Sequence, residues 1–334
     1  MLVAIDGRAA VRPELGGVER WARELCARLP QLGDYTVIRP PATLAHRAGH
    51  AWEQIYLPAR TRHAEALLCP ANLAPLAARN AVVIIHDAAP LRHPGWYSPA
   101  YVRVQRALLP RIARRAKAVI TVSEFSRTEL MEFLGVPGER IRVVPGGVDA
   151  RFSSGVDTEP VLRRLGLTRP YVLAVGDRGP RKNLDALRPA VGLLRKEGID
   201  LVVAGGGRGH QLGSSLDGAR DVGYVPDEDL PALYAGAQAF ALPSLHEGFG
   251  LTVLEAMAAG VPVVASSRAA LPELVTGAGL LADPDDWGLF CGAVVKAATD
   301  QQERARLSEQ GRQVAARYTW ERAANAVHGI LSRL

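Results

Sequence analysis

The sequence predicts an α/β fold built from two doubly wound parallel-sheet domains in tandem. Apolar, β-branched runs alternate along the chain with segments of helical periodicity, which is the pattern of parallel strands covered by helices on both faces. The runs fall into two series, and a Gly-, Ser- and Asp-rich stretch over residues 146–160 separates them as a linker would. With 334 residues and 48% hydrophobic content, the chain is long enough to bury two cores.

We expect six strands in the first series and four in the second. The first series comprises residues 2–6, 35–39, 66–69, 81–87, 117–123 and 141–145. The second comprises residues 171–176, 199–205, 239–244 and 261–266. These series predict one domain over residues 1–155 and another over residues 165–317. Because open parallel sheets bind ligands beyond the carboxyl ends of their strands, we expect a site in a cleft between the domains.

Composition and charge narrow the setting of the protein. The net charge of +6 favours an anionic partner, such as phosphates, lipid headgroups or nucleic acid. The first residues lead straight into a strand and no run approaches ~18 apolar residues, which favours a cytoplasmic location. Cys26, Cys69 and Cys291 lack the spacing of a metal site or a disulfide framework, so we expect small buried hydrophobes there.

The segment LHEGFGLTVLEAMAAG, residues 245–260, combines two glutamates with a loop that becomes a helix. Helical spacing begins near Leu251, and Gly260 is suited to end the helix. Glu247 and Glu255 then lie roughly 12 Å apart along the axis at about 1.5 Å per residue, too far for one carboxylate pair. Between them, the free N–H groups at the helix start suit an anion. The pattern predicts a carboxylate, an anion site and a second carboxylate in a line.

Other strand ends also carry candidate side chains. His86 ends a strand and is expected to open onto the cleft, although a satisfied, partly buried histidine is the alternative. Gly16 and Gly17 precede a helix, where the backbone could approach a ligand closely or simply turn. A basic loop after the strand at 171–176 either binds phosphate or is solvated surface. Its cations are Arg178, Arg181 and Lys182.

Two further signals are discounted. The glycine-rich stretch at 204–210 lacks the complete dinucleotide fingerprint with its downstream acidic residue, which favours a tight turn. The acidic pairs at 227–229 and 283–285 lie among Pro and Gly without His or Cys partners, which favours solvated turns over a metal site. We therefore expect neither a metal nor another cofactor.

Together these residues resemble the retaining glycosyltransferases of family 4, which have the GT-B fold. The segment at 245–260 is similar to the E-x7-E motif of that family, with Glu247 and Glu255 at its acidic positions. Motifs in the family's order cover most of the chain, among them HDAAPLRHPGWY, AVITVSEFSRTEL, VVPGGVD, GPRKNL and ALPELVTGAGLLADPDD. GPRKNL and HDAAPL point to the mannosyltransferase-like branch. The resemblance also implies that a helix over about 318–334 packs back on the first domain.

The resemblance implies catalytic roles for four side chains. Glu247 would face the donor sugar near its reacting face, and His86 would contact the transferred sugar. Lys182 would neutralise the diphosphate together with one arginine, and the resemblance does not decide between Arg181 and Arg178. Asp177 departs from the family, which more often has a neutral or basic residue there.

The resemblance further implies a donor site in the second domain and an acceptor side in the first. Glu255 would hold the ribose hydroxyls of the nucleotide. The other implied donor-binding positions of the second domain are Arg178, Tyr224, Val225, Phe249, Gly250, Leu251 and Thr252. Gly16 and Gly17 would add a loop of the first domain near the phosphate and the acceptor. The expected reaction is metal-independent, retaining transfer of a sugar, best matched by mannose from GDP-mannose, to an acceptor hydroxyl of a saccharide or lipid-linked acceptor. Nucleic acid is not expected as a partner.

Three alternatives remain beside this function. A nucleotide-sugar 2-epimerase could use the same fold, and a non-catalytic nucleotide-sugar-binding protein would keep the binding groups without turnover. A dinucleotide-dependent oxidoreductase is disfavoured by the missing fingerprint.

The segment at 101–117 raises a hypothesis about location. Tyr101, Val104, Leu108 and Ile112 are predicted to share one helical face. Arginines lie opposite and beside them, namely Arg103, Arg106, Arg111, Arg114 and Arg115. A helix packed on the sheet with a solvated basic face explains this pattern. The alternative is peripheral contact of that face, helped by Arg60 and Arg62, with the inner face of an anionic membrane.

Overall fold

The chain forms two compact units, each built around a parallel sheet. A computed structural model describes residues 1–12, 16–41, 51–153, 155–206 and 216–334. The first unit combines Met1–Gly147 with Trp320–Leu334, and the second is Val148–Thr319. The second unit is therefore one continuous stretch, whereas the first is completed only when the chain returns to it.

The first unit holds a six-stranded parallel sheet in the order β2-β1-β3-β4-β5-β6 within the described residues. The strands are β1 (Val3–Asp6), β2 (Tyr35–Ile38), β3 (Ala66–Cys69), β4 (Ala81–Ile84), β5 (Ala118–Thr121) and β6 (Ile141–Val143). β1, β3, β4 and β5 are buried along their whole length, as expected of parallel strands covered on both faces. The six predicted strands of the first series are confirmed.

Capping residues mark the ends of α5 (Glu124–Leu134), one of the helices of the first unit. These helices are α1 (Gly17–Arg28), α2 (Leu57–Arg60), α3 (Ala89–Arg92), α4 (Pro99–Arg115), α5 (Glu124–Leu134) and, in the returning segment, α13 (Trp320–Leu331). The Ser123 hydroxyl accepts from the Ser126 N–H at 3.0 Å and caps the start of α5. Gly135 ends this helix in the left-handed region, with φ +62°.

The core-facing side of α4 differs from the predicted one. Ile112 is buried as predicted, but Tyr101 is 43% exposed, and Val102, Gln105 and Leu109 are buried instead. The predicted buried face was wrong by about one residue along the helix. Gln105 is buried but polar, so a search for apolar spacing does not find it. The arginines Arg103, Arg106, Arg111, Arg114 and Arg115 are all exposed.

The second unit holds another six-stranded parallel sheet among the described residues, in the order β12-β11-β10-β7-β8-β9. Its strands are β7 (Tyr171–Val175), β8 (Asp200–Ala204), β9 (Arg220–Gly223), β10 (Ala239–Leu242), β11 (Val263–Ser266) and β12 (Leu280–Ala282). The sequence predicted the four central strands and missed β9 and β12. Both missed strands lie at the sheet edges, and neither has a buried residue. An edge strand that stays partly solvated needs no apolar run, so its sequence gives little signal.

Helices cover the second sheet as well. They are α6 (Glu159–Arg164), α7 (Arg188–Lys196), α8 (Leu230–Ala235), α9 (Leu251–Ala258), α10 (Leu271–Val275), α11 (Trp287–Thr299) and α12 (Gln301–Ala315). The second core is formed largely by β7, β8, β10, α7 and α11. In the described parts of both units, no helix combines the length and apolar character needed to cross a bilayer. The doubly wound α/β fold predicted for each domain is confirmed.

Candidate functional site

The second unit buries a carboxylate between two cations at the carboxyl ends of neighbouring strands. Glu247 follows β10 and is 8% exposed. The Lys182 Nζ donates to its Oε1 at 2.7 Å, and the Arg181 Nη1 lies 2.9 Å from its Oε2. Arg181 also pairs with Asp177 at 3.5 Å. We call these four residues, Asp177, Arg181, Lys182 and Glu247, the Glu247 cluster.

The backbone after β7 places both cations. Arg181 and Lys182 lie in a 3₁₀ turn, Pro180–Lys182, and Asn183 then adopts a left-handed conformation with φ +49°. The Asn183 side-chain amide stabilises this bend by donating to the Pro243 carbonyl at 3.3 Å. Gly176 leaves room for the Lys182 side chain, because a Cβ there would lie 2.8 Å from the Lys182 Cε.

The two cations keep the carboxyl groups of the Glu247 cluster ionised. Burial alone would raise the pKa of Glu247, but the Arg181 and Lys182 cations outweigh it and hold that pKa far below its usual range. The pKa of Asp177 is lowered in the same way, with burial opposed by the two cations. Two cations thus balance two carboxylates, and Glu247 is ionised at neutral pH.

The structure separates the two candidate arginines. Arg178 pairs with Asp221 on the edge strand β9, whereas Arg181 contacts Glu247. Arg181 is further fixed by donating to the His246 carbonyl at 3.0 Å. Arg181 is therefore the arginine that lies beside Lys182 in the Glu247 cluster.

The start of α9 lies a few residues beyond Glu247. Gly250 precedes the helix with φ +108°, where a Cβ would lie 3.0 Å from Leu271 Cδ2. Leu251 and Thr252, at the first two helical positions, are half-buried. Phe249 is buried and its ring meets Tyr318 edge-on, with centroids 5.8 Å apart. This geometry fixes the helix start, whose first N–H groups have no partner within the helix.

Glu255 lies in the second turn of α9 and is 5% exposed. Its Oε2 accepts a hydrogen bond from the Tyr234 hydroxyl at 2.9 Å. Tyr234 is held in place by Phe152 and Phe240, with ring centroids 5.7 and 5.6 Å away. One oxygen of Glu255 is thereby oriented from within the unit.

Tyr224 and Val225, which follow β9, have opposite surroundings. The Tyr224 side chain is 51% exposed, and Val225 is buried at 4%. An exposed aromatic ring beside a strand end can stack on a planar ligand. The glycine-rich stretch that was predicted to turn after β8 is described only as far as Gly206, and its residues 207–210 lie outside the described ranges.

Acidic pairs that resembled metal ligands in sequence form ion pairs with arginine. Asp227 pairs with Arg151, and Asp229 pairs with Arg164. The other two, Asp283 and Asp285, both pair with Arg268. Within the described ranges, no group of three or more His, Cys, Asp or Glu side chains is placed to hold a metal ion. The three cysteines are buried and free.

In the first unit, Glu19 ties down the backbone at Gly16. Its Oε1 lies 2.9 Å from the Arg12 Nη1, and its Oε2 accepts the Gly16 N–H at 3.1 Å. Glu19 is 4% exposed, so these bonds are shielded from water. One carboxylate thus links the residues on either side of 13–15, which lie outside the described ranges. Gly17 is the first residue of α1.

Glu19 was missed in the sequence, although a signal for it was available. It stands three residues after Gly16, at the position of the glutamate in a capping box. That spacing predicts a carboxylate that turns back to the N–H group before the helix, which is the contact observed here.

His86 is more enclosed than the sequence suggested. Its side chain is buried, and the ring Nε2 lies 2.9 Å from the Pro70 carbonyl oxygen. Trp21 packs edge-on against the ring, with centroids 5.8 Å apart. Burial is the main cause that lowers the pKa of His86, so the neutral ring is favoured. The expectation of an open histidine was therefore wrong, because Trp21 and the segment at Pro70 cover the strand end.

A second buried charge cluster, also missed in the sequence, lies beyond β1. Arg8 pairs with Glu53, and Asp6 Oδ1 accepts from the Trp52 Nε1 at 3.1 Å. Burial raises the pKa of Glu53 to about 7, despite the lowering effect of Arg8. The pKa of Asp6 is raised as well, again mainly by burial. We call Asp6, Arg8 and Glu53 the Glu53 cluster.

Comparison with solved structures identifies the class of fold. Sucrose-phosphate synthase from Thermosynechococcus elongatus superposes with a TM-score of 0.80 at 19% identity, over 100% of this chain and 98% of that one. Two parallel six-stranded sheets with flanking helices, shared with such structures, define a GT-B fold.

Sequence comparison then gives the family. The model described as "Glycosyl transferases group 1" matches residues 163–314, and "Glycosyltransferase Family 4" matches residues 62–152. O-antigen chain mannosyltransferase B of Escherichia coli is 36% identical over 256 residues, covering 72% of this chain and 67% of the relative. A GDP-mannose-dependent alpha-(1-6)-phosphatidylinositol monomannoside mannosyltransferase of Mycobacterium tuberculosis is 32% identical over 254 residues, covering 69% and 64%. The chain belongs to glycosyltransferase family 4 and resembles its mannosyltransferases.

The match covers only part of the length of these relatives. In three others of comparable similarity, it spans between 33% and 59% of the relative's own length. Similarity over part of their length does not by itself assign the activity, substrates or partners of these relatives to this chain.

Proposed function

We propose that this glycosyltransferase transfers mannose from GDP-mannose to a hydroxyl of a saccharide or lipid-linked acceptor, with retention at the anomeric carbon. The observation that carries the proposal is the Glu247 cluster, which holds two fixed cations close to the start of α9. Mannosyltransferases among the sequence relatives support the choice of sugar and base. O-antigen or related glycan synthesis is the setting that these relatives favour.

The chemistry follows from the charge that develops on the leaving group. As the bond between the anomeric carbon and the phosphate oxygen breaks, negative charge grows on the nucleoside diphosphate. Lys182, Arg181 and the N–H groups at the start of α9 stabilise that charge. The acceptor oxygen attacks from the leaving-group face and forms the new glycosidic bond. Its proton passes to the departing phosphate oxygen.

Glu247 orients the cations and the sugar in this proposal. An ionised carboxylate already bonded to Lys182 and Arg181 is a weak base and a weak nucleophile, which favours direct attack by the acceptor. A double displacement would instead require a carboxylate to form a covalent bond to the sugar. Trapping a sugar on Glu247, detected by mass spectrometry, would favour that route.

Donor choice is tested with a panel of GDP-, UDP-, dTDP- and ADP-linked sugars. We expect GDP-mannose to raise the melting temperature most, because a ligand that binds only the folded state stabilises it by mass action. Acceptor-dependent release of GDP would support transfer. Release of a free epimerised sugar nucleotide would favour the 2-epimerase, and binding without turnover would favour a binding protein.

Metal independence is part of the proposal, since Arg181 and Lys182 supply the positive charge that a divalent cation would otherwise provide. Activity should persist in EDTA. Loss of activity in EDTA that magnesium or manganese restores would overturn this part.

Membrane contact through α4 is a separate proposal. Arg103, Arg106, Arg111, Arg114 and Arg115 form no ion pair with a carboxylate in the described part of the chain, and all are exposed. Each basic residue near an anionic surface contributes about 1 kcal/mol, screened by salt. We expect co-sedimentation with anionic liposomes at low salt that is lost at high salt. Failure to sediment at low salt would favour a soluble acceptor.

A further inference from the structure

We propose that a basic cavity at the amino-terminal edge of the first sheet binds a phosphate group. The cavity has a volume of about 240 Å³. Lys117 and Arg140 lie directly before β5 and β6, and Arg142 is the second residue of β6. Arg333, from the segment that returns to this unit, completes the lining cations. One acidic side chain, Glu139, also contributes.

The lining cations keep their charge available to a ligand. Arg140 donates to the Arg114 and Ala116 carbonyls at 3.2 and 2.6 Å, which orients its guanidinium without neutralising it. Arg142 donates to the Glu139 carbonyl at 2.8 Å. Among the residues that the structure describes, none of the four cations forms an ion pair with an acidic side chain. A group that carries two negative charges therefore finds an excess of positive charge here.

The chemistry of the lining favours phosphate. Guanidinium groups donate two parallel N–H bonds to phosphate oxygens, and an ammonium adds a point charge. Because Arg140 is held by backbone acceptors, little side-chain freedom is lost when a ligand binds. The phosphate could be carried on a soluble sugar or on a lipid headgroup, and both present the same oxygens.

This cavity is distinct from the residues of the same unit that were assigned to the reaction. Gly16 and His86 follow the carboxyl ends of β1 and β4, whereas the cavity lies at the amino ends of β5 and β6. Parallel strands place these ends at opposite edges of one sheet. Phosphate bound in the cavity would anchor a molecule away from these residues, and the inference does not depend on the proposed transfer reaction.

Inorganic phosphate is the first probe. Calorimetric titration compares the Lys182→Ala protein, in which the Glu247 cluster has lost a cation, with the same protein carrying Lys117→Gln and Arg333→Gln. We expect the added pair to weaken phosphate binding about tenfold, equivalent to about 1.4 kcal/mol. Lys117 and Arg333 are exposed, so the fold should tolerate their replacement. The matched control is Arg169→Gln with Lys196→Gln, which removes the same charges from the second unit.

A second measurement locates the anion directly. Tungstate, a tetrahedral dianion, should give an anomalous peak between Arg140 and Arg142 in soaked crystals of the parent protein.

Vesicles containing phosphatidic acid distinguish a lipid headgroup from a soluble phosphate as the ligand. Loss of vesicle binding in the protein with Lys117→Gln and Arg333→Gln identifies a lipid headgroup. Unchanged vesicle binding with weakened phosphate binding identifies a soluble ligand. Equal phosphate affinity with and without the substitutions, or equal weakening by the control pair, would overturn the proposal.

Discussion

The Glu53 cluster and the Glu247 cluster each bury a glutamate beside residues that follow a strand, but the pKa values of their carboxyl groups are shifted in opposite directions. In the first, two carboxyl groups lie beside Arg8, and burial raises the pKa of both. In the second, two carboxylates meet two cations, which lower the pKa of both despite burial. Burial opposes the cations in both clusters, and the cations outweigh it only in the Glu247 cluster. Where the cations outweigh burial, the carboxylates stay ionised, whereas Glu53, with a pKa of about 7, still binds a proton near neutral pH.

Removing a cation from the Glu247 cluster should have the largest effect. In Lys182→Ala we expect turnover to fall by a factor of about 10² to 10³, because Lys182 acts on charge that grows in the transition state. The measurement is kcat with GDP-mannose and an acceptor, alongside the melting temperature. Lys296→Ala, at an exposed lysine of the same unit, is the control. Equal activity in Lys182→Ala and the parent would remove Lys182 from the site.

Replacing a carboxyl group of the Glu53 cluster should alter the dependence of stability on pH. The folded pKa of about 7 exceeds the ordinary value of 4.5, so the folded state binds more protons between these values. This contribution to stability is fully present below about pH 4.5 and is lost as pH rises through 7, on the order of 3 kcal/mol. In Glu53→Gln, the free energy of unfolding should decrease less as pH rises than it does in the parent protein.

Urea unfolding between pH 5 and 8 checks that prediction. Glu124→Gln, at an exposed position in the same unit, should leave the parent's pH profile unchanged. A Glu53→Gln profile as steep as the parent's would show that another group titrates in this range.

A weaker effect is expected when Glu255 is changed. Glu255→Ala should weaken donor binding about tenfold, because it removes the proposed acceptor for the ribose hydroxyls. Tyr234→Phe is the control, since it removes only the hydroxyl that orients one oxygen of Glu255. Comparison of GDP and GDP-mannose affinities by calorimetry makes the test. Unchanged affinity in Glu255→Ala would contradict the assignment.

The smallest effect should come from Asp177, which lends the Glu247 cluster its second negative charge. In Asp177→Asn the cations face one carboxylate fewer, so GDP should bind roughly threefold more tightly. Asp221→Asn, which removes the partner of Arg178, is the comparison. Weaker GDP binding in Asp177→Asn would instead mean that Asp177 holds Arg181 in the position that binds the ligand.

Sequence patterns predicted the core of each unit but not its margins. Buried strands such as β4 and β10 are continuous apolar runs, whereas β9 and β12 lie at edges and lack that signal. The nearness of Lys182 to Glu247 follows from a general rule, because their segments follow the carboxyl ends of two adjacent parallel strands, β7 and β10. No rule of this kind links Arg8 to Glu53, which lies 45 residues away in a helical turn.

The returning helix α13 has a consequence for synthesis of the chain. Trp320 packs edge-on against Trp21 of α1, with ring centroids 5.4 Å apart and both side chains about 1% exposed. On a ribosome, Trp21 emerges roughly 300 residues before its partner, at about 5 to 20 residues per second. The continuous second unit can therefore complete its core first. Until α13 is synthesised, the side of Trp21 that packs on Trp320 stays uncovered. At those rates, a nascent chain would expose that side of Trp21 for tens of seconds before Trp320 could cover it.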